Sequence, residues 1–457
     1  MVHPREGWQG HGVPRRRFLK GGVGLSALAA LGAGGALAGC ASDLTGSGTL
    51  PLPRPDNPVQ WPVFAGNTSI KPGLAAERDA TLQVYIWTAY INQACVNAFA
   101  KKYKCKVQLT TFDTMDEALS KLRSGLSYDV LIGATPDTLG QLVEGQLIQP
   151  LNHSYIPNIE QAWPDYTDPF YDRKWQYTVP YTIYTTGISW RKDLVHENPY
   201  AMANAWAMPW QPKYKGRVAI LDDYREGICL GLMKNGIYNL NTTDYRQIAL
   251  ARQSLQELSG LVNLIINNND YSDVPDGQTW ITNAWSGDMA AAASYLPKGV
   301  NVDVVGYWVP ADGRCPVNND TMVVLKSSAS PVLGHLFLNY LLDLPNALEN
   351  ISWNGYMQPL TGVTPQVLVK EQILPPSLTS TVVVPSNFRR GLFELQLPVD
   401  ADALWQQAWL VVAKQMEQRK RVLGRAGRAG DRLAPGAVHR AGLRGARDRA
   451  GQARPAP

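Results

Sequence analysis

The chain has 457 residues and a formal net charge of +5, but that charge sits at its ends. Residues 1–40 carry 5 Lys/Arg against 1 acid, and the stretch from Lys414 onward carries 12 against 3, which leaves 26 basic and 34 acidic residues between them, a net of −8. An acidic body argues against nucleic acid as a partner and weakly toward cationic ligands, and at roughly 335 residues, from about Ala80 to Met416, it is too long for one compact core.

Pro14 to Lys20 reads P-R-R-R-F-L-K, and an uncharged Ala/Gly/Leu-rich run follows from Gly21 to Ala38. That run has the length of a signal-peptide core and is diluted by glycines, so it does not read as a permanent span. Arg15-Arg16 followed by Arg17-Phe18-Leu19-Lys20 looks like a twin-arginine export signal. Leu37-Ala38-Gly39-Cys40 resembles a bacterial lipobox, in which Cys40 becomes the lipidated first residue. Residues 1–40 are therefore expected to be a twin-arginine lipoprotein signal peptide, and the protein to work outside the cytoplasmic membrane, lipid-anchored to it. The Ser/Gly/Thr/Pro-rich residues after Cys40 read as a flexible tether, taken as 41–79.

The body alternates. Leu82 to Ile86 reads as a strand, Asn92 to Tyr103 as a helix, Lys106 to Thr111 as a strand, Met115 to Arg123 as a helix, Asp129 to Ile132 as a buried strand and Leu139 to Glu144 as a helix. Such alternation predicts a parallel sheet with crossover helices. Val179 to Trp190 reads as an extended crossing segment. A second set follows at Val218–Leu221, Ile228–Lys234, Tyr245–Leu258, Val262–Ile266, Met289–Tyr295, Val302–Tyr307 and Thr321–Leu325, with helices at Pro331–Leu342 and Ala401–Gln415. The expected fold class is α/β with two interleaved lobes: 80–184 with 320–365, and 185–319 with 366–416. The Arg/Ala/Gly/Pro-rich end, 417–457, cannot bury enough apolar surface to order itself and is expected to be a disordered basic tail with no assigned role.

The most informative stretch is Arg217 to Gly227, R-V-A-I-L-D-D-Y-R-E-G. A short buried strand ends in Asp222 and Asp223, and a helix starting near Tyr224 puts Glu226 in its first turn. Ligands of open α/β sheets bind where strands end and helices begin, yet acids at a helix start also serve the helix itself. Spacing alone leaves helix cap and ligand site both open. Cys95 and Cys105 bracket one helix and lie too far apart to bridge; Cys229 with Cys315 is open.

Catalytic motifs are missing. His3, His11 and His439 lie in the leader and tail, and His153, His196 and His335 in the body, none in H-E-x-x-H; neither G-x-S-x-G nor a P-loop occurs. No metal and no cofactor are expected. A carboxylate-only glycoside hydrolase, which needs just two acids, stays a formal alternative.

Y-I-W-T-A-Y (85–90), Y-D-V-L-I (128–132), V-P-Y (179–181), P-K-Y-K-G-R (212–217) leading into L-D-D-Y-R-E (221–226), Trp285-Ser286-Gly287, Asn319-Asp320 and W-N-G-Y (353–356) occur in an order that resembles the substrate-binding proteins of bacterial spermidine/putrescine ABC importers, from about Leu82 to about Gln415. The resemblance implies a two-lobed type II periplasmic-binding-protein fold with two interlobe crossings, closed by its ligand. It implies no enzyme activity, a small cationic polyamine as ligand, a membrane permease as partner, and a monomer. It assigns ligand-lining aromatic positions to Trp87, Tyr90, Trp285 and Tyr356, and amine-holding carboxylates to Asp223, Glu226 and Asp320. The chemistry is coherent, because carboxylates give charge-assisted hydrogen bonds to ammoniums while aromatic faces cover methylenes and attract cations. Three positions depart from the family: Ala134 and Pro136 stand where a serine and an aromatic are usual, and Asn318 where a tryptophan is usual. The slot is then wider, or filled from elsewhere, with Tyr184 and Trp190 the nearby candidates. The same clamp could hold another small cation.

Overall fold

The computed structural model describes residues 51–430; the export signal, Cys40 and the end of the expected tail lie outside them. The first half alternates as expected: β1 (Thr81–Trp87), α1 (Gln93–Tyr103), β2 (Lys106–Phe112), α2 (Met115–Arg123), β3 (Val130–Ala134) and α3 (Leu139–Glu144). Local chemistry sets these bounds. Asn92 caps α1 by accepting from the Ala94 N–H, and Thr114 caps α2 by accepting from Glu117. β1 pairs in parallel with β2 on one side and β3 on the other. Successive β1 residues face opposite sides: Leu82, Val84 and Ile86 join one buried cluster with Phe99 and Phe337, and Tyr85 joins another with Leu119 and Leu142. Both faces of the sheet are covered, as a parallel sheet requires.

The thirteen-residue β4 (Val179–Arg191) leaves this half. Beyond it come β5 (Ala219–Ile220), α4 (Tyr224–Lys234), α5 (Tyr245–Val262), β6 (Ile265–Ile266), α6 (Asp270–Asp273), β7 (Ile281–Trp285), α7 (Ser286–Ala290) and β8 (Val305–Trp308). The chain returns along β9 (Pro316–Val324) to α8 (Pro331–Leu341), α9 (Leu344–Asn354), α10 (Pro365–Lys370), α11 (Pro385–Arg390), β10 (Leu392–Phe393) and α12 (Val399–Gly430). β4 and β9 are the two crossings. β4 pairs antiparallel with β9 over Val179–Thr185, then with β7 and β8 over Thr186–Arg191. β9 pairs with β3 at its far end and with β10 at its start.

Five expectations are corrected, the first being the flexible tether at 41–79, within which Val59 and Trp61 are buried in one cluster with Leu119 and Leu142 and Trp61 Nε1 donates to Tyr171 O at 2.7 Å. The strand at Val218–Leu221 is reduced to two residues, Ala219–Ile220, paired with β6, and Val218 makes only an isolated bridge to Ile281. β6 itself is short because α5 runs on to Val262 before Asn263 ends it in the left-handed region. The strand expected from Val302 opens as a helical turn and becomes extended only at Val305. The strand expected at Thr321 begins at Pro316, so Asp320 lies inside β9 rather than ahead of it. Cys95, Cys105, Cys229 and Cys315 are all free thiols, and the open Cys229–Cys315 pair does not form. Among the described residues no helix is long and apolar enough to cross a membrane.

Candidate ligand-binding site

β4 and β9 carry the centre of the site. Thr182 of β4 stands opposite Asp320 of β9, and Tyr184 opposite Asn318. Side chains two and four residues apart share one face of a strand, so Thr182, Tyr184 and Thr186 form a row on β4. At one end, the Tyr90 hydroxyl donates to Asp320 Oδ2 at 2.6 Å and shares a hydrogen bond with Thr182 Oγ1 at 2.5 Å. At the other end Glu226 Oε1 accepts from Thr186 Oγ1 at 2.7 Å and from Trp285 Nε1 at 2.6 Å. Thr186 and Trp285 are direct partners in the β4–β7 ladder, so strand register holds both donors on one carboxylate oxygen.

An unbroken aromatic row joins the two ends. Tyr181 meets Tyr90 at 5.2 Å between ring centroids, Tyr90 meets Tyr356 at 5.2 Å, Tyr356 meets Tyr184 at 5.8 Å and Tyr184 meets Trp285 at 6.5 Å, all edge-on. Tyr356 fits because residue 287 is glycine: a Cβ there would run into its ring. Trp87, at the end of β1, donates from Nε1 to Gly133 O at 3.1 Å and packs on Phe112 at 4.7 Å. Gly133 has φ +105° and no room for a Cβ beneath the Trp87 indole, so that position is closed to other residues.

Asp223 caps α4: its Oδ1 accepts from the Arg225 and Glu226 N–H groups at 2.8 and 3.1 Å. Asp223 therefore serves as a helix cap through one carboxylate oxygen, and its charge acts on the neighbouring acids. Of the two candidates for filling the slot, Tyr184 is in the aromatic row. Trp190 is not: it pairs across the ladder with Gly306 and stacks over it.

Two acids join that sequence reasoning did not select. Glu394, just after β10, accepts from Asn318 Nδ2 at 3.2 Å, so the residue replacing the family's tryptophan holds a carboxylate. Asp137, in the turn after β3, lies close enough to raise both Asp320 and Glu394. An acid following a strand end, as in T-P-D-T, was a usable signal for Asp137. Glu394, alone in L-F-E-L-Q-L, offered none.

The electrostatics follow from burial and from the crowding of like charges. Burial pushes Asp320 up to about 7, against the pull of the Tyr90 hydroxyl. Burial likewise pushes Glu394 up to about 7, with Arg225 opposing. Glu226 lies well above the usual carboxylate range through burial and the charges of Glu394 and Asp223. Among the described residues no ion pair involves Asp223, Glu226, Asp320 or Glu394. Buried carboxylates of this kind are expensive unless a cation meets them. The arrangement is suited to binding a positively charged, N–H-rich molecule along an aromatic wall.

Comparison with known proteins agrees with the fold. The family model for bacterial extracellular solute-binding proteins matches residues 94–375. The spermidine/putrescine-binding periplasmic protein of Escherichia coli is 29% identical over 287 residues, covering 62% of this chain and 79% of its own. A putrescine/cadaverine-binding protein of Pseudomonas aeruginosa is 26% identical over 338 residues, covering 70% of this chain and 94% of its own. Among solved structures, a spermidine/putrescine ABC transporter substrate-binding protein from Streptococcus pneumoniae superposes with a TM-score of 0.61 at 22% identity, over 74% of this chain and 99% of that one. A lipoprotein of Treponema pallidum gives 0.61 at 21% identity, over 73% and 99%. The fold is the two-lobed type II periplasmic-binding class, and the chain belongs to the bacterial extracellular solute-binding protein family.

Proposed function

We propose that this chain is the solute-binding component of an ABC importer and that it captures a polyamine in the cleft built on β4 and β9. The observation that carries the reading is the burial of Glu226 and Asp320 at opposite ends of one aromatic row, with no protein cation paired to either among the described residues. Their anchors, Thr186 and Thr182, are four residues apart on β4, ~13 Å of extended strand. Such a spacing suits a ligand with cations at both ends and methylenes between them. In this reading Glu226 and Asp320 hold amine groups, Asp223 adds negative charge from the helix cap, and Trp87, Tyr90, Trp285 and Tyr356 form the walls. The ligand closes the lobes 80–184 with 320–365 and 185–319 with 366–416 about hinges at Tyr184–Thr186 and Asn318–Asp320, and the closed form docks on a membrane permease. The chain itself does no catalysis. Export by the twin-arginine route and lipid attachment at Cys40 keep it, as a monomer, beside that permease.

Calorimetric titration of the full chain with putrescine, spermidine and spermine, with an aminophosphonate as control, tests the reading. Micromolar or tighter binding to a polyamine, and none to the control, is expected. A folded protein that binds none of the three would discard the ligand class.

A further inference from the structure

The backbone on both sides of Glu394 is held by other elements. Phe393 pairs with Val317 of β9. Asn241 donates from Nδ2 to Phe393 O at 2.8 Å and accepts the Leu395 N–H on Oδ1 at 2.7 Å. Arg225 donates from Nη1 to Leu395 O at 2.9 Å and from Nη2 to Asn241 Oδ1 at 2.8 Å, its guanidinium lying over Trp405 at 4.8 Å. The buried Arg225 guanidinium thus spends its hydrogen bonds on fixing residues 393–395, and acts on Glu394 through its charge alone.

The carboxyl so placed is only half satisfied. Glu394 is 9% exposed; its Oε2 accepts from Asn318 Nδ2 at 3.2 Å, its Oε1 has no N–H or O–H partner, and the weak donor beside the carboxyl is the Cys229 thiol. Glu226 has the same form: 4% exposed, Oε1 taking both the Thr186 and Trp285 donors, Oε2 with no partner. The two acids come to one place by register. Asn318 faces Tyr184 across the β4–β9 ladder, and Thr186 is the next β4 residue on that face. Leaving one buried carboxylate oxygen unpaired is costly, and two beside each other more so. A group with several N–H donors and a positive charge relieves both at once.

We propose that Glu394 and Glu226 form a two-carboxylate seat for a single N–H-bearing cationic group of the ligand, an ammonium or a guanidinium, at the end of the cleft away from Asp320, with Asn318 holding Glu394 in position. The seat rests on the reading of the ligand as a polyamine. It makes Glu394 a ligand-contacting residue and Asn318 a positioning one. The charged and titratable groups facing the seat are Asp223 at the cap of α4, Arg225 and Cys229 of α4, Asp137 after β3, Tyr184 of β4 and Tyr307 of β8. Burial keeps part of the pair protonated near neutrality, so seating a cation expels a proton.

The test is titration of the full chain with spermidine and with agmatine, whose one end is a guanidinium, at about pH 7 in buffers of different ionisation enthalpy. Wild-type binding is expected to release protons. Glu394→Gln, which keeps the shape of the side chain, is expected to bind at least about tenfold more weakly and to release fewer protons. A greater loss with agmatine identifies a guanidinium seat, and a greater loss with spermidine an ammonium seat. If Glu394→Gln does not melt cooperatively, Asn318→Leu decides, because it removes the donor and leaves the carboxylate; weaker binding supports the seat. Binding and proton release unchanged in either folded variant would overturn the seat alone. Wild-type protein that binds neither ligand would overturn the polyamine reading and the seat with it.

Discussion

Replacing Asp320 by asparagine probes the polyamine reading through both affinity and pH. Asp320 is 5% exposed and accepts the Tyr90 hydroxyl at 2.6 Å, a bond an amide oxygen can also accept, so Asp320→Asn keeps the packing and removes the charge. Taking the charge from a buried pair with a ligand ammonium costs about 2–5 kcal/mol, or about 30-fold or more in affinity at about 1.4 kcal/mol per tenfold. The pH dependence is a second signature. With its carboxyl pushed up to about 7, Asp320 is mostly ionised at about pH 8 and only about one-tenth ionised at about pH 6. Apparent affinity scales with the competent fraction, so this group alone weakens wild-type binding about tenfold over that interval, and Asp320→Asn removes that share of the slope. Stability moves the other way. A carboxyl whose folded value lies above its unfolded one gives stability that is full at low pH and lost as pH rises through about 7. The ligand-free variant is therefore expected to melt at or above the wild-type temperature at about pH 8 while binding more weakly. Calorimetric titration at the two pH values, with melting curves alongside, measures all three effects. Unchanged affinity together with an unchanged pH slope would remove Asp320 from the site.

Tyr90→Phe keeps the ring contacts with Tyr181 and Tyr356 but removes the donor that holds Asp320 down, so the midpoint of the affinity–pH curve is expected to rise, with about 1 kcal/mol lost at neutral pH. Gly133→Ala puts a Cβ at φ +105° beneath the Trp87 indole; denaturant unfolding is expected to show a loss of about 1–3 kcal/mol, and titration a weaker site. Arg15→Lys with Arg16→Lys is expected to hold the protein in the cytoplasm, and Cys40→Ser to shift it from the membrane to the soluble fraction, both read by cell fractionation. Asn318→Trp restores the family's aromatic but deprives Glu394 of its Asn318 donor. In that background Glu394→Gln is expected to cost less than in the wild type, a double-mutant coupling of about 0.5–3 kcal/mol; strictly additive effects would mean that Asn318 does not act through Glu394.

What could be read from the sequence depended on how far away the deciding partner lies. The bounds of α2 and α3 were legible because apolar spacing, joined at α2 by the Thr114 cap, acts within a few residues. The assignments of Glu226 and Trp285 came by resemblance, yet their contact is made by the register that sets Thr186 against Trp285, which no local pattern states. The start of β9 is not legible locally, because Pro316 and Val317 are extended by pairing with Leu392 and Phe393, partners far along the chain. Trp190, plausible as a wall from its place beside the crossing, is claimed by Gly306 on β8. Asn318 shows the limit most clearly. Its departure from the family is visible in the sequence, and leaves the slot either wider or filled from elsewhere. The slot there is filled by an acid that β10 and the Arg225–Asn241 clamp bring up against β9. Exchanging an aromatic wall for a carboxylate holder changes the charge of the slot as well as its width. It is therefore at Asn318 and Glu394 that the preference among cationic ligands is expected to be set.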